Sequence, residues 1–189
     1  VRRIQGGATV PIDQVGIGFW LMALLGAPTT TGVGDPYTHI FKPDAVLPSM
    51  VIEKGFTDIV QYLKMNGVKL NKFSLEVGGD KELTAKLDLL GAKETASATP
   101  FDATPTAIAF TRFHNMQATL KEGGSIIAYV QEVSLEIDNG LDPGSFVIGG
   151  GEIRAALPEG DCKVDGKVKA LFQDRALYNK AVNGTESSF

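Results

Sequence analysis

The chain has 189 residues, with 22 Asp plus Glu against 18 Lys plus Arg and a net charge of −4, which is enough length for one domain with a real core. Its single cysteine, Cys162, excludes an intramolecular disulfide and any multi-thiolate zinc site. No signal-peptide pattern, no bilayer-length apolar run and no concentrated basic face of the duplex-binding kind is visible.

In chain order, residues 6–13 (GGATVPID) read as a first strand, with Pro11 keeping it at an edge or near its end. Gln14 to Leu25, QVGIGFWLMALL, is apolar at nine of twelve positions and holds the only tryptophan, Trp20. Asp13 is its capping candidate, and Gly26 with Pro28 stops it. A helix apolar nearly all round is expected to be buried on more than one face. Either it plugs a β-sandwich, or one face packs on a neighbouring subunit.

Residues 27–36 read as a turn-rich polar loop, 37–42 and 49–54 as short strands, and 57–65 as a strand leading to a hairpin turn at Asn66-Gly67. Past that turn the alternation slips by one residue, from Val68 and Leu70 to Phe73, Leu75 and Val77, which predicts a bulge near Asn71–Lys72. Leu83, Ala85, Leu87 and Leu89 alternate with polar residues as a half-buried strand. Periodicity vanishes over 91–112, so this stretch is a functional arm or a disordered linker; Phe101, Ile108 and Phe110 point to an arm that docks.

Asn115–Lys121 reads as a strand and Glu122–Ser125 as a turn; Ile126–Asp138 is the longest β run. A second loop region opens at Asn139-Gly140. Lys163–Phe172 closes the sheet, with Val164, Val168, Ala170 and Phe172 inward and Lys163, Asp165, Lys167 and Lys169 outward. Residues 174–182 suit a short amphipathic helix ended by Asn183-Gly184. The fold class is therefore mainly β: an antiparallel sandwich with one flanking apolar helix over 14–25, in a single domain over 1–189. The abrupt ends, VRRIQ and GTESSF, suggest a piece lacking both native termini.

No catalytic constellation emerges. Gly16-Ile17-Gly18 has leucine where a dinucleotide motif needs its third glycine, and Gly149–Gly151 lacks the Lys-Ser/Thr of a phosphate loop. His39, His114 and Cys162 lack metal-ligand spacing, and DNGLD at 138–142 is mis-spaced for a calcium loop. Neither histidine sits in a nucleophile motif, and no carboxylate pair can be nominated. No enzyme activity, cofactor, metal or membrane partner is expected.

The succession GFWLMALLGAPTTTG, PYTHIFKP, LPSMVIEKGF, VKLNKFSLEVG and LTAKLDLLG resembles tail tube proteins of long-tailed bacteriophages and prophages. EVSLEIDNGLD and FQDRALYNKAVNGTESSF resemble later segments of the same family, so the similarity spans nearly the whole chain. The resemblance implies a structural virion protein, made in the bacterial cytoplasm, whose β-sandwich subunits form rings, usually hexameric, that stack into a hollow tube. Its partners would be copies of itself, with a tape-measure protein and then DNA in the lumen, bound without sequence specificity. Loops 27–36 and 91–112 are then the candidates for reaching the next ring, and Trp20, Thr30, Thr31, Phe101, Ile108 and Phe110 the candidate interface residues. An acidic inner wall would repel DNA phosphates. Rival readings are an adhesion or carbohydrate-binding β-sandwich module, a tail terminator, or the inner tube of a contractile system.

Overall fold

The computed structural model describes residues 3–109, 111–126, 130–171 and 175–185. In chain order the elements are β1 (Ile4–Pro11), α1 (Gly16–Leu25), β2 (Thr29–Thr31), β3 (Thr38–Ile40), β4 (Met50–Phe56), β5 (Gln61–Gly78), β6 (Thr84–Gly91), β7 (Lys93–Ser97), a 3-10 turn (Asn115–Gln117), β8 (Lys121–Glu122), β9 (Ser125–Ile126), β10 (Val130–Asp138), β11 (Lys163–Ala170) and α2 (Ala176–Asn183). The architecture is mainly antiparallel β with one apolar helix, as the hydropathy pattern predicts. The strands run β1-β6-β5-β10-β11, and β4 and β7 flank the first half of β5.

The 18-residue β5 is the spine of the fold. Its first half pairs with β4 and β7, its second with β6 and β10. A strand of that length must bend, and two irregularities let it. One is the expected bulge: pairing with β6 slips between Leu70 and Lys72, so Leu70 and Phe73, three positions apart, are both buried. The other corrects the expected hairpin at Asn66-Gly67. The strand continues through these two residues without reversing, with Gly67 at φ 62° and the Asn66 carbonyl accepting the Ala92 amide at 3.0 Å. Asn-Gly signals a turn because it tolerates positive φ, but here that tolerance makes a kink between two pairing partners. The reversal from β4 to β5 lies instead at Thr57–Val60, with Val60 at φ 52°, a conformation a β-branched residue rarely adopts and no sequence rule flags.

The main core forms between one sheet face and α1: Ile12, Ala23, Leu24, Leu70, Phe73, Ala85, Leu87 and Ile137. Asp13 starts the helix as expected, its Oδ1 accepting the Val15 and Gly16 amides at 2.8 and 2.7 Å. A Cβ on Gly16 would sit 2.7 Å from Asp13 Oδ2, so any larger residue there would push the capping carboxylate aside. The expectation of burial on several faces fails within the subunit. Only Ala23 and Leu24 are buried, while Val15 and Phe19 are 56% and 48% exposed.

Four further expectations need correction. The loop over 27–36 contains β2, which pairs with β3 in an exposed hairpin. Within 91–112, residues 93–97 form β7; KETAS shows no apolar alternation because backbone pairing to β5 holds this edge strand. Asn115–Lys121 is not a strand: the Gln117 side chain accepts the His114 amide at 2.9 Å, folding a 3-10 turn, and only Lys121–Glu122 pairs, with β9. Finally, Val164 and Val168 of β11 do not point into a core, being 60% and 41% exposed, because no element of the subunit covers that end of the sheet among the described residues. Phe172, and residues 127–129 of the long β run, lie outside the described residues.

Candidate functional site

Among the described residues no group of three His, Cys, Asp or Glu could hold a metal ion. His39 Nδ1 lies 2.8 Å from Thr30 Oγ1 across the β2–β3 hairpin, His114 is exposed, and Cys162 is an exposed free thiol. No described helix is long and apolar enough to cross a membrane. What the molecule offers is surface, and three kinds of surface stand out.

The first is the sheet face opposite α1. Antiparallel register puts directly opposed residues on the same face, so Lys72, Ser74 and Glu76 of β5 share it with Thr84, Lys86 and Asp88 of β6, Glu132, Ser134, Glu136 and Asp138 of β10, and Lys163, Asp165, Lys167 and Lys169 of β11. This face carries no large apolar side chain in that stretch. Its broad open depression, about 700 Å³, is lined by Glu76, Lys86, Glu132 and Lys167 among others. Five lysines meet six carboxylates, and most are neutralised locally. Lys72 lies 2.7 Å from Asp138 and 3.6 Å from Glu136, Lys86 3.6 Å from Glu76, and Lys169 3.1 Å from Glu132. The hydrogen bond to Asp138 raises the Lys72 ammonium above its ordinary range. Burial works to raise the Asp138 carboxyl, but hydrogen bonds from Lys72 and the Gly140 amide outweigh it and hold it low. The face is thus mixed in sign, not simply acidic. Exposed pairs of this kind add little stability, but they leave few cations free to hold a polyanion.

One end of the same face is covered. Leu90 packs there with Leu47, Leu141 and Leu157 in a second small core. Lys69 reaches Glu159 and the Leu157 carbonyl beside it, and Glu159 also accepts the Leu47 amide at 2.8 Å. Burial would lift the Glu159 carboxyl; the hydrogen bonds from Lys69 and Leu47 prevail and lower it. Arg154, 2% exposed, donates Nε to the Pro143 carbonyl and Nη1 to those of Ile4 and Gly91 at 2.6–2.9 Å, with Phe146 against its guanidinium. Buried Asn139 donates to the Leu24 and Leu70 carbonyls, and Asn71 at the bulge accepts the Leu141 amide. These contacts turn the irregular 139–162 segment into a fixed part of the body. Sequence reading missed all of them; Asn71 alone was signalled, through the slip in alternation.

The second surface is a set of extensions. Every residue of β2 and β3 is exposed, including Thr30 and Thr31, so the hairpin adds nothing to the core. Residues 98–109 have no regular structure; Phe101 and Ile108 in them are 68% and 59% exposed. This segment is tethered lightly, by the Phe101 amide on Glu53 at 2.9 Å and by Lys64 over the Phe101 ring. Phe110 lies outside the described residues. Trp20 differs from the others: it is half-buried, packs on the main core and meets Phe19 edge-on at 5.2 Å. The candidate interface residues therefore sit on three separate elements, α1, β2 and the 98–109 segment. The third surface is apolar and uncovered, made by the outer flank of α1 and the underside of β11.

A subunit with extensions that do not serve its own core, an open polar sheet face and uncovered apolar flanks is shaped for contact with other molecules. No curated protein matches the chain in sequence. The family model for phage tail tube proteins, by contrast, matches residues 1–189, its full length. The chain belongs to the phage tail tube protein family, structural components of the virion that assemble with copies of themselves into a tube.

Proposed function

We propose that the chain forms rings, usually of six copies, which stack into the hollow tail tube, and that the polar face of β6, β5, β10 and β11 lines the channel through which DNA leaves after the tape-measure protein. The observation that carries this reading is the division of the sheet into two faces of opposite character. One face is covered by α1; on the other, broad and open, register sets lysines, carboxylates, serines and a threonine side by side over the central stretch. Closed rings arise from heterologous contacts whose rotation closes. A mixed-charge wall with three of its five lysines, Lys72, Lys86 and Lys169, held by carboxylates suits a conduit, since a polyanion meets few unneutralised cations on which to stall.

The β2–β3 hairpin and residues 98–109 are the proposed arms to the next ring, with Thr30, Thr31, Phe101 and Ile108 as contact residues. Phe110 and Trp20 are the remaining candidates, Trp20 through its half-exposed edge beside Phe19. Electron microscopy of the purified protein tests the reading. Hollow rings or tubes a few nanometres across are the expected result, and a chain that stays monomeric at every concentration overturns it.

A further inference from the structure

The alternation in β11 is sharp: Lys163, Asp165, Lys167 and Lys169 on one face, Val164, Gly166, Val168 and Ala170 on the other. Such a pattern belongs to a strand with one face covered. Yet seven of its eight residues are exposed, and among the described residues β11 is the last strand of the sheet, bonded to β10 along one side only. Register places Val164 beside Ile137 and Val168 beside Val133. The cover that α1 gives the sheet reaches Ile137 and Leu135 and ends there. The α1 sequence shows the same mismatch: it is apolar round most of its circumference, while Val15 and Phe19, four apart on one flank, face outward in the subunit.

We infer that these two surfaces are the halves of one contact: the Val15–Phe19 flank of α1 in one copy seats on the Val164–Gly166–Val168 underside of β11 in the next. The inference rests on the tube reading, which requires chain-to-chain contacts, and it names the residues that make one of them. The shapes correspond. Val164 and Val168 stand about 13 Å apart along the strand, with Gly166 between them, where a Cβ would meet nothing closer than the Ser134 carbonyl at 3.8 Å. That gap is a shallow saddle, and Phe19 is the large side chain available to fill it. Because the patches differ and lie on different elements, the contact is head-to-tail, as ring closure needs. The uncovered β11 face then continues the helical layer that α1 begins in its own subunit.

The test uses the full chain with Cys162→Ser, so that introduced thiols are the only ones. Assembled protein mixed from Phe19→Cys and Gly166→Cys copies, treated with a short thiol crosslinker, is expected to give a dimer that neither variant gives alone. The double variant is expected to give a ladder of covalent oligomers. Tubes that form but yield no such product overturn this contact and leave the tube reading intact. Dimers from either single variant alone overturn it too, since they mean like meets like. If the double variant fails to assemble, Val15→Cys with Val168→Cys repeats the experiment with the same expected and overturning results. Wild-type protein that forms no assembly overturns the contact and the tube reading together.

Discussion

Changing Asn139 to aspartate keeps the side chain's shape and reverses its chemistry. Asn139 is 4% exposed, and its Nδ2 donates to the Leu24 carbonyl at 2.9 Å and the Leu70 carbonyl at 3.1 Å, tying the end of α1 to the β5 bulge. Asn139→Ala removes two bonds worth about 1 kcal/mol each and leaves two buried carbonyls short of a donor, for a total loss of about 2–4 kcal/mol. Asn139→Asp also turns a carboxylate oxygen toward those carbonyls. A buried carboxyl in that setting has its pKa raised, and a rise of about 2 units alone corresponds to about 2.7 kcal/mol. The aspartate variant is therefore expected to lose about 5–7 kcal/mol at neutral pH, more than the alanine variant.

The sign with pH follows. The folded-state pKa of the new carboxyl lies above its unfolded value near 3.9, so the charge penalty is absent below about pH 3.9 and grows as pH rises to the folded value. Urea titrations of dispersed subunits, followed by the fluorescence of Trp20, which packs on the same core, measure the gap to wild type at pH 4 and pH 7. An aspartate variant as stable as wild type at pH 7, or a gap that does not change between the two, refutes the account of this node.

The other predictions concern separate parts of the molecule. Gly67→Ala, at φ 62° with Ala92 3.1 Å from the new Cβ, is expected to cost about 1–2 kcal/mol in urea midpoint measurements. Glu159→Gln is expected to cost about 1–3 kcal/mol. Because the Glu159 pKa is lowered in the folded state, its contribution is full above the ordinary carboxyl value near 4.5 and disappears as pH falls through the folded value; the glutamine variant lacks that part of the acid loss. Arg154→Met is expected to free the 139–162 segment from the carbonyls of Ile4 and Gly91, visible as protease cleavage there before the sheet unfolds. Deleting residues 99–108, beyond the last residue of β7, is expected to leave thermal unfolding of the subunit nearly unchanged and to abolish stacking; insoluble protein would show that the segment belongs to the core.

Much of this fold could be read from hydropathy alone. The apolar helix, its Asp13 start, the alternation of β6 and the bulge at Asn71 each follow from side-chain periodicity. What could not be read depends on backbone partners far away in sequence. Asn66-Gly67 carries a turn signal, and pairing with β4 and β7 on either side carries the chain through it as one kinked strand. KETAS became a strand through hydrogen bonding to β5 without any apolar pattern of its own. The contacts of Arg154 and Asn139 span loops whose composition gives no hint of them. The most informative failures are Val164, Val168 and the outer face of α1, whose sequence asks for cover that the described residues of one subunit do not supply. Local pattern and tertiary structure part company where function lies in assembly.

The claim that the polar sheet face lines a channel is tested most directly at Ser134, which lies on that face between Glu132 and Glu136. In a Cys162→Ser background, Ser134→Cys is to be labelled in dispersed subunits and in assembled tubes with a small maleimide and with one carrying a long polymer. The account predicts that both reagents label dispersed subunits, whereas only the small one labels the interior of long tubes. Equal labelling of tubes by the bulky reagent would put this face on the outside and contradict it.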